Sequence, residues 1–312
     1  MGMDHLNKAN GSYREQNWPQ ALHHSDLAAT KLLQLKDRPL EDISSALELK
    51  CIALSLLGRH REELECAKEW YTLWNTKPTD MGAINAIFAL IDSCIQNKEY
   101  EDAKLYASTV YGIINHKYDN KIPEDQRQPY IADGAYFLAS ATLRLAQAGG
   151  IPAGQKPTAG REAIALLRRA LEIHTQLYGT EHNNVADDSC ILAEALGYFN
   201  DDYNEEVLRL FEQAKTIHSR VYGRSSSNVA VCEGKLGDAY CRRAERAHAS
   251  NDLDRELANL ELSLPHLRGA VRIYRVVGRV DMADSNAQII VTVEARMRQI
   301  ANERSSVAAT KG

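Results

Sequence analysis

Proline and glycine are scarce in this chain, at 8 and 18 of 312 residues. Sheet folds built on many tight turns need both, so an all-β reading starts badly. No apolar run approaches the roughly 18 residues that a membrane span requires. The stretch 1–10 has no apolar core of the kind a secretory leader needs, and Leu6 stands where an N-terminal acylation signal wants Ser or Thr. Neither sign of charge dominates: 37 Lys+Arg face 42 Asp+Glu, a net charge of -5. That balance argues against a general nucleic-acid binder, which must crowd cations onto phosphates. The six cysteines (51, 66, 94, 190, 232, 241) form no C-x-x-C pair. They lie inside apolar-periodic stretches and read as small hydrophobes in a reduced setting, cytoplasmic or nuclear.

What the chain does have is helical period. Ile84, Ile87, Phe88, Ile91, Cys94 and Ile95 recur at steps of three and four, one face of an α-helix. Similar stripes recur along most of the chain. The most strand-like run, Ile289 to Val293, sits between helix formers and reads as a buried helix face.

The sequence also repeats itself. The stretch Ala170 to Gly179, with Ile173, His174, Leu177 and Tyr178, returns as Ala214 to Gly223, with Ile217, His218, Val221 and Tyr222. The offset is 44, and Val185-Ala186 returns as Val229-Ala230 at the same offset. Gly179 and Gly223 then read as helix stops in the left-handed conformation. A worn third copy ends at Ile273 to Gly278; Ala270 lies 56 residues beyond Ala214, so this unit carries 12 extra residues. Shorter units precede these: Tyr13, Trp18, Ala21 and Ala28; Leu54, Gly58, Ala67 and Trp70; Ile91, Tyr100, Ala103 and Ala107. Small residues recur where two helices must approach closely, and large ones fill the gaps.

This pattern resembles the tetratricopeptide (TPR) family, and the 44-residue copies are similar to the longer repeats of kinesin light chains. Ser226 departs from that pattern, standing where the first copy has His182. The resemblance implies an all-α fold, a right-handed superhelical α-solenoid of about six helix pairs over residues 5–300. Short repeats are expected over about 5–148, a mobile loop over 149–160, longer repeats over about 161–303, and a disordered tail over 304–312.

Tests for chemistry find little. Gly149 to Gly154 has the glycine spacing of a P-loop, but Gln155 replaces the lysine and a helix precedes it. His23 and His24 are adjacent and point apart on a helix, while His174 and His218 are copies of one repeat position. No nucleophile setting and no metal motif is present, so no catalysis, cofactor or metal is expected. Of the five positions that some TPR domains use to clamp a terminal carboxylate, Asn10 alone matches; Leu6, Leu49, Asn85 and Ala89 do not.

The resemblance points instead to a groove lined by the first helix of each pair, suited to a peptide or protein partner. Its positions give Asn10, Asn85, Phe88, Asp92 and Gln96, then Ser189, Phe199 and Asn200, then Lys235, Asp238 and Arg242. Phe88 reads equally well as packing against the next helix. Seven arginines (242, 243, 246, 268, 272, 275, 279) cluster near the end. They read as a solvated face with pairs inside each helix, or as a docking face for an acidic partner. Ser225 to Ser227 form a turn with the features of a phosphorylation site. The expected role is an interaction scaffold without enzymatic activity. The alternatives are a structural subunit of a larger assembly, or the helical module of an enzyme such as a methyltransferase or a phosphatase-type regulator.

Overall fold

The computed structural model describes residues 2–37, 39–74, 81–116 and 124–311. Among them the regular structure is helical and no strand occurs. The chain divides into two compact units, residues 1–159 and 160–312.

The first unit holds α1 (Gly2–Arg14), α2 (Trp18–Leu33), α3 (Leu40–Leu56), α4 (His60–Leu73), α5 (Met81–Gln96), α6 (Tyr100–His116) and α7 (Glu124–Gln147). Consecutive helices pack as neighbours, because each exposes one apolar stripe that no single helix can bury. Start signals are local. Asn17 accepts a hydrogen bond from the Gln20 amide at 3.3 Å, and Pro19 sits in the first turn of α2, where its missing N–H costs nothing. Ala9, Ala28, Ala67 and Ala107 have no exposed surface; these are the positions where small residues let the pairs close. Two indoles share one hydroxyl beneath this packing: Trp70 Nε1 donates to Ser44 Oγ at 2.6 Å and Trp74 Nε1 at 3.3 Å.

The second unit holds α8 (Lys156–Tyr178), α9 (Asn183–Asn200), α10 (Glu205–Val221), α11 (Ser227–Ala249), α12 (Leu253–Val276) and α13 (Val280–Lys311), with the first residues of α8 assigned to the first unit. Here the internal copies occupy matching environments. Ala170 and Ala214 are wholly buried, and His174 and His218 are 2% and 3% exposed. Each histidine stacks on the tyrosine one turn later at 5.8 Å. Gly179 and Gly223 follow with φ of +82° and +85°. The departure at Ser226 is conservative in role. His182 caps α9 by accepting from the Asn184 amide, and Ser226 caps α11 by accepting from Val229.

Three expectations change. The loop expected over 149–160 is shorter: a 3-10 turn occupies Ala153–Gln155 and α8 begins at Lys156. Pro157 stands at the second position of α8, where a proline is tolerated. The tail expected to be disordered from 304 continues α13 to Lys311. No Gly or Pro interrupts residues 279–311, and Arg304 is held by Asp254 and by the Leu253 carbonyl. The run Ile289 to Val293 is helical as read, but Val293 is buried while Val291 is 55% exposed.

The left-handed stop at Gly223 generates a test. Gly223→Ala puts a Cβ into a backbone conformation that costs about 1–2 kcal/mol, with no steric neighbour to confuse the reading. The urea midpoint should fall with an unchanged m-value. Gly112→Ala, in the open middle of α6, should be neutral or stabilising by roughly 0.5–1 kcal/mol.

Candidate functional site

The predicted groove residues meet different fates in the two units. In the first, Asn10 is exposed and donates back to the Leu6 carbonyl at 3.1 Å. Asn85 is half-buried. Phe88 is 8% exposed and stacks on Phe137 of α7 at 4.9 Å, so it serves packing between α5 and α7 and offers no open anchor. Asp92 is partly exposed and hydrogen-bonded to Gln96. Burial, reinforced by the neighbouring Glu63 carboxylate, pushes the Asp92 carboxyl up to about 6. Glu63 itself is buried on α4, with the Ser93 hydroxyl at 3.3 Å and His60 Nδ1 at 3.2 Å.

In the second unit Ser189 is fully buried and donates to the Val185 carbonyl at 2.6 Å. That hydroxyl is used inside its own helix and faces no ligand. Phe199 lies over Gly160, where even a Cβ would come within 2.8 Å of its ring; it seals the start of α8. Asn200 is exposed at the end of α9. Lys235 is bound to the buried Glu194 of α9 at 2.9 Å, a tie between the first helices of two successive pairs. From the predicted set, Asp238 and Arg242 meet in one cleft.

That cleft has a volume of about 690 Å³ and lies among α11, α12 and α13. Ala244, Leu260 and Val293 form its buried apolar floor, with Ile289 beside them. Its rim carries Asp238, Arg242, Glu245, His248, Thr292 and Gln299. Burial raises the Asp238 carboxyl above the usual range; Arg242 stands 4.0 Å away and also holds Glu245 at 3.1 Å. One end is closed by Glu256, 3% exposed, whose two oxygens receive Arg296 Nε at 2.6 Å and Nη2 at 3.0 Å. His248 Nδ1 lies 3.1 Å from Glu256 and 2.9 Å from Arg296 Nη2. The Arg296 hydrogen bonds, with His248 helping, hold the Glu256 carboxyl below the usual carboxylate range.

The cleft is a product of the irregular repeat. Helices α11 and α12 run 23 and 24 residues, against 18 and 17 for α9 and α10. By the repeat offsets, the end of α9 at Asn200 corresponds to Ala244, and the start of α10 at Glu205 to Glu261. The overrun therefore comprises the end of α11 after Ala244 and the start of α12 before Glu261. It contributes Glu245, His248, Glu256 and Leu260 to the cleft. The twelve-residue excess was visible in the sequence; its conversion into a cavity was not, because Ile289, Val293 and Arg296 come from α13, outside any recognisable repeat.

Part of the arginine cluster is paired: Arg242 with Asp238 and Glu245 of its own helix, and three others with carboxylates of neighbouring segments. Arg243 meets Glu205, Arg246 meets Asp202, and Arg268 meets Glu294, each at 2.8 Å. Carboxylates already occupy those three guanidiniums.

Neither a scan of family models nor a search of curated proteins returns a match. Solved structures do match. The apo form of RapI is 13% identical and covers 96% of this chain and 99% of that one, with a TM-score of 0.56. A Rap protein complexed with competence and sporulation factor is 10% identical over 95% of this chain and 75% of that one, with a TM-score of 0.53. A Podosopora anserina protein of TPR-like repeats, provisionally called a kinesin light chain, is 17% identical over 69% and 92%, with a TM-score of 0.45. The chain has a TPR-like helical-repeat fold.

Two substitutions test the electrostatics. A carboxyl raised by burial makes the folded state lose stability as pH climbs from about 4 to about 6, and the deficit persists above. Asp92→Asn should flatten that slope in urea titrations and raise the midpoint at pH 7.5. Glu256 has the opposite sign: its pairing stabilises fully above the ordinary carboxylate range and is lost as pH falls through its lowered value. Arg296→Met leaves Glu256 buried without its partner and should cost roughly 3 kcal/mol at neutral pH, with the variant's deficit shrinking in acid.

Proposed function

We propose that this chain is a non-catalytic interaction module that takes a peptide segment of a partner protein in the cleft among α11, α12 and α13. The observation that carries the reading is the cleft itself: an apolar floor under a polar rim, the pattern of a site in which buried side chains anchor and polar groups orient. The Rap protein of similar fold that was solved with competence and sporulation factor bound supports the reading at the level of the fold.

The rim chemistry narrows the segment. Three carboxylates (Asp238, Glu245, Glu256) face two guanidiniums (Arg242, Arg296), and Asp238 is under-compensated, its nearest cation shared with Glu245. A segment with one aliphatic or aromatic anchor next to a Lys or Arg fits: the anchor covers Leu260 and Val293, and the cation meets Asp238 and Glu245. The partners in this reading are proteins rather than nucleic acid. Among the described residues no helix is long and apolar enough to cross a membrane. The six free cysteines, five of them buried, support a reducing compartment such as the cytoplasm.

A peptide library displayed on phage and panned on the full chain tests this. Selected peptides should carry the apolar-basic pair. Their Kd should rise at least about tenfold, about 1.4 kcal/mol, on Thr292→Arg or Glu245→Lys, both exposed changes, while Asn10→Ala leaves it unchanged. Peptides indifferent to the cleft changes would overturn the placement. Methyl transfer or phosphate release by the purified full chain would favour the enzyme-linked reading. A fixed-stoichiometry complex whose formation is indifferent to the cleft changes would favour the structural subunit.

A further inference from the structure

The first unit contains a buried pair of thiols that the peptide cleft does not use. Cys51 lies on α3 and Cys66 on α4, and their sulfurs are 3.1 Å apart, with Cys51 donating to Cys66. Both residues are buried, at 4% and 3% exposure. Cys66 also donates to the Leu47 carbonyl at 3.6 Å. A disulfide bond is about 2.0 Å long, so the sulfurs must close by about 1 Å to bond. The connecting stretch is already folded as the α3–α4 hairpin, so the entropic obstacle to closure has been removed.

The two thiols differ in access. Cys66 lines a cleft of about 560 Å³, whose walls include Leu22, Asp26, Lys50, Leu54 and Glu62. Cys51 does not line it. Lys50 stands at this wall, bound to Asp26 at 2.6 Å. The hydrogen bond to Cys66 and burial push the Cys51 thiol up. The other buried pair, Cys190 with Cys232, lines none of the described clefts.

We propose that Cys51 and Cys66 form a modification site, a dithiol that closes to an intrachain disulfide on reaction with a small disulfide oxidant. The Cys66 thiolate attacks one sulfur of the oxidant, its S–S bond breaks, and one small thiol leaves after taking a proton from water. Cys51 then loses its proton to solvent and attacks the Cys66 sulfur of the mixed disulfide, expelling the second small thiol. Two protein thiols are oxidised by two electrons, and one small disulfide is reduced to two thiols. The product pins α3 to α4 across a fifteen-residue separation, without reference to the peptide cleft of the other unit.

The test uses the full chain, 2-hydroxyethyl disulfide as the oxidant, and peptide mapping by mass spectrometry under native conditions. The expected product is a peptide joining Cys51 to Cys66 with loss of two hydrogens, reversed by dithiothreitol. Its thermal midpoint should rise by roughly 5–10 °C, and its formation should speed up with pH. Cys241, which lines the other cleft without a partner cysteine in this pairing, should stop at a mixed disulfide. Cys51→Ala should trap the mixed disulfide on Cys66. Should that variant fail to fold, the wild-type map decides alone. A map in which Cys51 and Cys66 stay reduced while Cys241 is modified, or in which Cys190–Cys232 closes first, overturns the proposal.

Discussion

Every helix here depends on a neighbour to cover its apolar stripe, and the distance of that approach is set by alanine. Ala9, Ala28, Ala67 and Ala107 in the first unit, and Ala170, Ala186, Ala214, Ala230 and Ala270 in the second, expose no surface. At such positions a larger side chain has nowhere to go, since interiors are packed to crystal density. Overpacking of this kind costs typically about 1–3 kcal/mol. The large residues sit between these contacts: Leu64, Ile84, Leu167 and Phe211 are at most 1% exposed. Within each unit, small residues fix the spacing and large ones fill what the spacing leaves.

Where the copies diverge, packing is kept and polarity is traded. His174 pairs with the buried Asp188 at 2.7 Å, with the Asn184 amide 3.5 Å from its other ring nitrogen. At the 44-residue offset the carboxylate position is Cys232. His218 therefore has a buried Nδ1 without a partner among the described residues, and reaches Asp187 with Nε2 at 3.4 Å. Burial pushes its imidazole down to about 4, so it is neutral where an ion pair would otherwise be needed. The third copy removes the question by placing Tyr274, 3% exposed, at the same position. A ring is kept at this position in all three copies; charge is not.

Most of the helical architecture was legible because it is written in local chemistry: period, caps, and glycines with positive φ. Candidate site residues were harder. Facing a groove and packing on the next helix demand the same positions on a first helix, and sequence spacing does not separate them. Phe88 went to Phe137, Phe199 to Gly160, and Ser189 to its own helix backbone. Glu256 and Arg296 were missed because they are forty residues apart, and no short-range pattern joins them. The extra length of the last pair was the available signal. It marked where regularity breaks, which is where a repeat fold has room for a cavity.

By itself the amino-acid order determined that this chain is helical, that its helices come in pairs, and that one stretch recurs at a spacing of 44 residues. Those properties follow from backbone hydrogen bonding and from the placement of apolar, small and capping residues within a few turns, so they can be read along the chain. Tertiary structure alone decided which side chains share a cleft, which carboxylate holds which guanidinium, and which thiols lie within bonding reach. Those outcomes depend on distances between helices distant in sequence, and such distances are set by the sum of all packing contacts rather than by any one segment.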